Sequence, residues 1–125
     1  MAVYGASRLA GCHPDLVSLV TSLGARRDLQ VVQGARSYAE EVEAIRTHHS
    51  SLRDPWSSKH VVGDRRLLAT AVDLGPHPLD WKNTAAFIAL AQDMKSEAAL
   101  LKIDVVWGGD WATFKDYDHF ELKHA

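Results

Sequence analysis

Asp116-Tyr117-Asp118-His119-Phe120-Glu121-Leu122 sets a carboxylate three residues before a histidine, at the mouth of a run, His119 to Leu122, that reads as the last strand of the chain. Two other stretches share its chemistry, Ser58-Lys59-His60 and Ala71-Val72-Asp73-Leu74. Together they supply two imidazoles, a carboxylate on a strand and a spare carboxylate. A zinc ion that does hydrolysis typically takes three His or Asp/Glu ligands and keeps a fourth position for water, whose pKa falls to about 7. His60, Asp73 and His119 can fill the three ligand positions. Asp116 is then left as a general base, able to take a proton from the attacking water and hand it to the leaving amine. Arg36 could bind a substrate carboxylate or a developing oxyanion. Spacing alone leaves metal binding open, because a single histidine is more often a surface or hydrogen-bonded residue than a ligand.

Upstream the pattern is mostly helical. Pro14 opens a run in which Leu16, Leu19, Val20 and Leu23 recur at helical spacing, and Gly24 ends it. Leu29 to Gln33 reads as a short strand. Gly34-Ala35-Arg36 breaks it before a polar helix from Ser37 to about His48, with Ser37 as N-cap and Glu40 as capping-box partner. His49 to Gly63 has few periodic apolar positions and reads as a surface loop. Val72 to Leu74 reads as a strand ended by Gly75-Pro76-His77-Pro78. A long helix is expected from about Asn83 to Lys102, with Phe87, Leu90, Ala91, Met94, Ala98 and Leu101 on its core face. Ile103, Val105 and Trp107 alternate as in a strand before the Gly108-Gly109-Asp110 turn. Helices and short strands without regular βαβ alternation predict an α+β fold, a small antiparallel sheet packed with helices and carrying the zinc site. The length of 125 residues fits one domain, 1–125.

Composition excludes several classes of partner. With 14 Lys and Arg against 16 Asp and Glu, no electrostatic grip on nucleic acid or on an anionic membrane is expected. Cys12 is the only cysteine, so an internal disulfide and a thiolate-rich metal site are both ruled out. Met1 to Gly11 lacks a basic segment followed by an apolar core, and no run approaches the roughly 18 apolar residues of a membrane span. The chain is therefore expected to be made in a cytoplasm without an ordinary secretory signal, and to act as a monomer.

The order of the motifs carries more than any one of them. Ser58-x-His60-x-x-Gly63, then Ala71-Val72-Asp73-Leu74, then Trp107-Gly108-Gly109-Asp110-Trp111 and Asp116-x-x-His119-Phe120-Glu121-Leu122, resemble the phage endolysin branch of the D-Ala-D-Ala carboxypeptidase and L-alanyl-D-glutamate peptidase family. His13-Pro14-Asp15-Leu16, Gly34-Ala35-Arg36-Ser37 and Asp80-Trp81 extend the resemblance over nearly the whole chain. The resemblance implies a fold shared with lysostaphin-type enzymes and the hedgehog domain. It implies His60, Asp73 and His119 as zinc ligands, Asp116 as catalytic base, and Arg36 and Ser58 lining the substrate site. The implied substrate is bacterial peptidoglycan, cut in its stem peptides between L-alanine and D-glutamate. Such an enzyme would wait in the host cytoplasm until a membrane lesion lets it reach the wall in the periplasm.

Three departures from the family pattern stand out. Twelve residues separate His60 from Asp73, more than the family's usual spacing, with Asp64-Arg65-Arg66-Leu67-Leu68-Ala69 as the apparent insert. Either the insert loops out while Asp73 keeps its place, or Asp64 competes for the metal; the strand context of Asp73 favours the first. Asp118 stands where the family commonly has Pro, and Glu41 where many members have Gln. Blander readings apply elsewhere: His48, His49, His77 and His124 as solvated side chains, Asp110 as a turn cap, Arg65-Arg66 as a wet loop, and a structural salt bridge for Arg36. Two other functions stay open on the residues, a carboxypeptidase that trims terminal D-alanine from the same stems and a non-enzymatic zinc-binding interaction module.

Overall fold

The computed structural model describes residues 1–47 and 54–124; the His48-His49 pair and the first part of the expected loop lie outside the described residues. Among the described residues the chain forms three α-helices and seven strands, and the helices follow local signals. Helix α1, Pro14–Gly24, starts with Pro at its first position and the His13 imidazole accepting the Asp15 N–H at 3.1 Å. It buries Leu16, Leu19, Val20 and Leu23. Helix α2, Tyr38–Arg46, carries the expected capping box between Ser37 and Glu40. Helix α3, Thr84–Leu101, is capped by the Asn83 side chain and closed by Lys102 in the left-handed region.

The long helix departs from its expected core face at two positions. Leu101 is 39% exposed, because the chain turns away at Lys102 directly after it. Glu97 is buried instead, its carboxylate accepting the Ser22 hydroxyl at 2.5 Å and pairing with Arg26 at 3.5 Å. A buried carboxylate needs partners of this kind, and here they tie α3 to α1.

The strands are β1 Val3–Tyr4, β2 Leu29–Gln33, β3 Arg36–Ser37, β4 Val61–Val62, β5 Ala71–Pro76, β6 Val105–Trp107 and β7 His119–Leu122. Five form one sheet in the order β1-β2-β5-β7-β6, and β3 pairs with β4 apart from it. The expectation of a purely antiparallel sheet is corrected at one edge: β1 pairs with β2 in parallel. Helix α1 lies between these strands in the chain and serves as the crossover that parallel pairing requires. A two-residue strand such as β1 is too short to show an alternation in sequence.

Strand β5 also runs further than expected, through Gly75 and Pro76. Pro76 is tolerated there for a geometric reason. The Leu74 N–H points toward the β7 side and meets the Asp118 carbonyl at 2.8 Å, so Pro76, two residues on, lacks its donor on that same side. Strand β7 begins only opposite Asp73 and asks nothing of Pro76.

The expected surface loop is more structured than its polarity suggests. Pro55–Ser57 forms a 3-10 turn, and Ser58, His60 and Val61 are buried. The insert is likewise anchored. The Arg66 guanidinium donates to the carbonyls of Ser58 at 2.7 Å, Val61 at 3.1 Å and Trp56 at 3.3 Å. Buried Ala69 donates its N–H to Gly11 and accepts from the His13 N–H, each at 2.8 Å. Arg66 is thus a tether, not a wet-loop cation; Arg65 stays exposed over the Trp56 ring and Leu67 forms the exposed tip.

Alternation along the two central strands decides which face does what. Val72 and Leu74 of β5, with Phe120 and Leu122 of β7, join the core that contains Leu16 and Leu19 of α1 and Leu90 and Met94 of α3. Asp73, His119 and Glu121 are the residues between them and so point to the opposite face.

Candidate active site

Asp73 and His119 are direct partners across the antiparallel β5–β7 ladder, which brings their side chains side by side on that face. Beside Asp73 the β2–β5 register shifts between Val31 and Gln33, an irregularity of the kind that re-aims side chains next to active sites. His60 arrives from the turn before β4. The Ser58 hydroxyl accepts the His60 N–H at 3.3 Å, and the His60 carbonyl accepts the Arg36 N–H at 2.7 Å.

The three side chains converge. Asp73 Oδ1 lies 3.3 Å from His60 Nε2 and 3.2 Å from His119 Nδ1, and the two rings sit edge to face with centroids 5.3 Å apart. One ligand atom from each of the three falls within 4.8 Å of the others. The outer nitrogens are also engaged, His60 Nδ1 with the Gly34 carbonyl at 2.9 Å and His119 Nε2 with Glu121 Oε1 at 2.9 Å. Gly34 can present its carbonyl this closely only without a side chain, since a Cβ would fall 1.8 Å from the Arg8 carbonyl oxygen.

The electrostatics favour a cation at this point. Burial disfavours the charged form of Asp73, yet its hydrogen bonds to His119 and His60 outweigh that and hold the carboxyl below the usual range. Burial also opposes a charge on His119, but Asp73 and Glu121 overcome it and lift the imidazole to about 10. Two nitrogens and a carboxylate oxygen suit zinc and its first-row neighbours better than calcium or magnesium, which take oxygen ligands. The group could hold a divalent metal ion.

Asp116 stands next to it. Asp73, Asp116 and Asp118 each bring a carboxylate oxygen within 4.8 Å of the others. Asp118 is raised to about 8, chiefly by burial, then by its hydrogen bond with Asp116 and the charge of Asp73. A cleft of about 280 Å³ opens from Asp116 and Asp118 onto Trp81, Thr84 and Phe87, with Trp81 stacked on Phe87 at 5.4 Å. Trp111 closes the His119 side at 5.2 Å between ring centroids, whereas Trp107 is buried and donates its indole N–H to the Tyr117 carbonyl at 2.8 Å.

Gly108 sets where Asp116 sits. The Gly108 carbonyl accepts the Asp116 N–H at 3.1 Å, and a Cβ on Gly108 would fall 2.3 Å from the Asp116 carbonyl oxygen and 2.9 Å from its Cβ. Backbone cannot give way as a flexible side chain does, so Gly108→Ala must push Asp116 aside. A displacement of about 1 Å at a reacting group can cost roughly 100-fold in rate. Steady-state kinetics should show a loss of that order in kcat/KM with metal affinity unchanged; full activity would mean that Asp116 need not sit where it does.

The remaining expected site residues are placed differently. Ser58 is buried beside His60, and its hydroxyl is used within the turn. The Arg36 guanidinium pairs with Glu41 Oε2 at 2.5 Å and reaches Gln33 Oε1 at 3.5 Å. Among the described residues no hydrogen bond or ion pair joins it to the His60, Asp73 and His119 group. Asp64 is exposed and lies in neither carboxylate-containing group. Asp110 pairs with Lys95, His124 is exposed near Asp104, and His77 stacks on Tyr4 at 3.5 Å, so it is not the solvated side chain expected. Glu121 has no role in the spacing argument; strand parity, two residues on from His119, is the signal that finds it.

The comparisons with known proteins agree with one another. A family model described as phage L-alanyl-D-glutamate peptidase matches residues 1–124. The L-alanyl-D-glutamate peptidase of Escherichia phage T5 is 34% identical over 101 residues, 78% of this chain and 69% of that protein. Among solved structures, the L-Ala D-Glu endopeptidase ChiX of Serratia marcescens superposes with a TM-score of 0.72 at 30% identity, covering 93% of this chain and 84% of that one.

Proposed function

This chain belongs to the phage L-alanyl-D-glutamate peptidase family, and we propose on that premise that His60, Asp73 and His119 hold a zinc ion with which it cuts peptidoglycan stem peptides. It is an L-alanyl-D-glutamate peptidase of the endolysin type. The observation that carries the assignment of residues is the convergence of one atom each from His60, Asp73 and His119, with the Asp116 carboxylate beside Asp73. Zinc bound there would polarise the scissile carbonyl and acidify water.

The chain's own residues do the rest. Asp116 accepts a proton as the water oxygen adds to the L-alanine carbonyl carbon, and gives it to the D-glutamate nitrogen as the C–N bond breaks. The open cleft toward Trp81 and Phe87 takes the stem beside the cut. Arg36 binds a substrate carboxylate from the β3–α2 junction. The enzyme is held in the host cytoplasm and reaches the wall at lysis. No helix among the described residues is long and apolar enough to cross a membrane.

Mass spectrometry of purified peptidoglycan fragments, incubated with the zinc-loaded protein with and without a chelator, tests this reading. New fragments with a free L-alanine carboxyl and a free D-glutamate amine, absent under chelation, are expected. Release of D-alanine alone would select the carboxypeptidase, and no cleavage by a folded, zinc-containing protein would leave the interaction module.

Testing Arg36 needs care because its partner is the more deeply buried. The Glu41 side chain is 1% exposed against 24% for Arg36, and Glu41 Oε1 has no partner among the described residues. Removing one partner of a buried pair costs about 3–5 kcal/mol. Arg36→Ala is therefore expected to destabilise by that order in urea titration, for reasons unrelated to catalysis. The double variant Arg36→Ala/Glu41→Gln should recover most of the stability and still lose activity. Recovery of both would reduce Arg36 to a structural salt bridge.

A further inference from the structure

The two imidazoles of the site face Asp73 with different nitrogens. His60 presents Nε2 and His119 presents Nδ1. A neutral imidazole has one bare nitrogen, so each ring must carry its proton on the outer atom if the inner one is to bind a cation. For His60 the outer partner is the Gly34 carbonyl. A carbonyl oxygen can only accept, so this contact places the proton on Nδ1. For His119 the outer partner is a side chain, the Glu121 carboxylate, 2.9 Å from Nε2.

We propose that Glu121 is a positioning residue for metal binding: its carboxylate accepts the Nε2–H of His119, which fixes the tautomer and the ring orientation that aim Nδ1 at the metal. The inference rests on His119 being a ligand, as proposed above. Its geometry is set by the sheet. Glu121 follows His119 by two residues on β7 and so shares its face. The Glu121 backbone is registered on both sides, with Ala71 of β5 and Val106 of β6. The carboxylate is thus carried by a strand flanked on both edges. Among the described residues His119 is the one hydrogen-bond or ion-pair partner of the Glu121 carboxylate, which also feels the charges of Lys59 and His60. Carboxylates that accept from the outer nitrogen of a ligating histidine orient the ring and raise its basicity toward the metal.

Zinc affinity of the full chain, measured by competition with a chromophoric chelator, separates this role from a merely structural pair. Glu121→Ala should weaken zinc binding roughly 10–100-fold, the usual effect of losing such a partner. Glu121→Gln keeps an accepting oxygen and should stay within a few-fold of the parent. In zinc-loaded samples, nitrogen-15 NMR should show the His119 Nε2 proton protected from exchange in the parent and in Glu121→Gln, and lost in Glu121→Ala. Unchanged zinc affinity in Glu121→Ala, or equal weakening in both variants, overturns the inference while leaving the zinc peptidase reading in place. A parent protein that binds no zinc overturns both.

Discussion

Asp116→Ala is expected to fold and to bind zinc as the parent does, yet to lose hydrolysis of the stem peptide by a factor of roughly 100 to 10,000, the contribution of a positioned general base. The expectation rests on placement. Asp116 shares a 4.8 Å group with Asp73 but is not a member of the His60, Asp73 and His119 group, so its removal takes no ligand away. Asp118 makes the test sharper, because it offers a second carboxylate in the same place, and one raised to about 8 by burial and by its acidic neighbours. Burial and acidic neighbours favour the protonated form of Asp118, which agrees with assigning the base to Asp116 from its place three residues before His119. Single-turnover cleavage with zinc content measured on the same samples decides the matter. Undiminished activity in Asp116→Ala would falsify the assignment, and if Asp118→Ala then abolished cleavage the base would be Asp118.

Strand context and motif order place Asp73 and His119 in the sequence, and period-two alternation is the physical reason that they share a face. Val72 and Leu74 flank Asp73, and Phe120 and Leu122 interleave with His119 and Glu121, so burying the apolar set obliges the polar set to share the other face. The capping box at Ser37 and Glu40 and the helical spacing of Leu16, Leu19, Val20 and Leu23 are equally local, and they appear as expected. What could not be read are contacts that no helix or strand period relates. Glu97 looks like a solvated helix residue until Ser22, 75 positions away, is brought against it. Arg66 looks like half of a basic pair until the chain folds three carbonyls around it. Arg36 shows the same limit in reverse. Its motif suggests a substrate contact, but its nearest counter-charge, Glu41, lies on the next helix, and only packing reveals how completely that carboxylate is buried. Local pattern finds which residues can face a site; it does not find who satisfies them.

Metal binding should be lost in His119→Ala and Asp73→Ala and kept in Asp64→Ala. Zinc sites of this kind use three protein ligands, so deleting one leaves two, and the affinity should fall well beyond the roughly 10–100-fold that outer hydrogen-bonding partners command. The contrast between the two aspartates carries the argument. Asp73 lies within 3.3 Å of both imidazoles from the middle of a buried sheet, whereas Asp64 is exposed on the insert. Deleting the insert outright is the wrong experiment. Arg66 holds the turn that carries His60, and Ala69 is bonded to Gly11 and His13, so removing residues 64–69 would disturb His60 whether or not Asp64 is a ligand. Point variants avoid that, and equilibrium dialysis against zinc with circular dichroism on the same samples reads them cleanly. Zinc lost in Asp64→Ala and retained in Asp73→Ala would transfer the third ligand to the insert, and with it the position from which Asp116 could act.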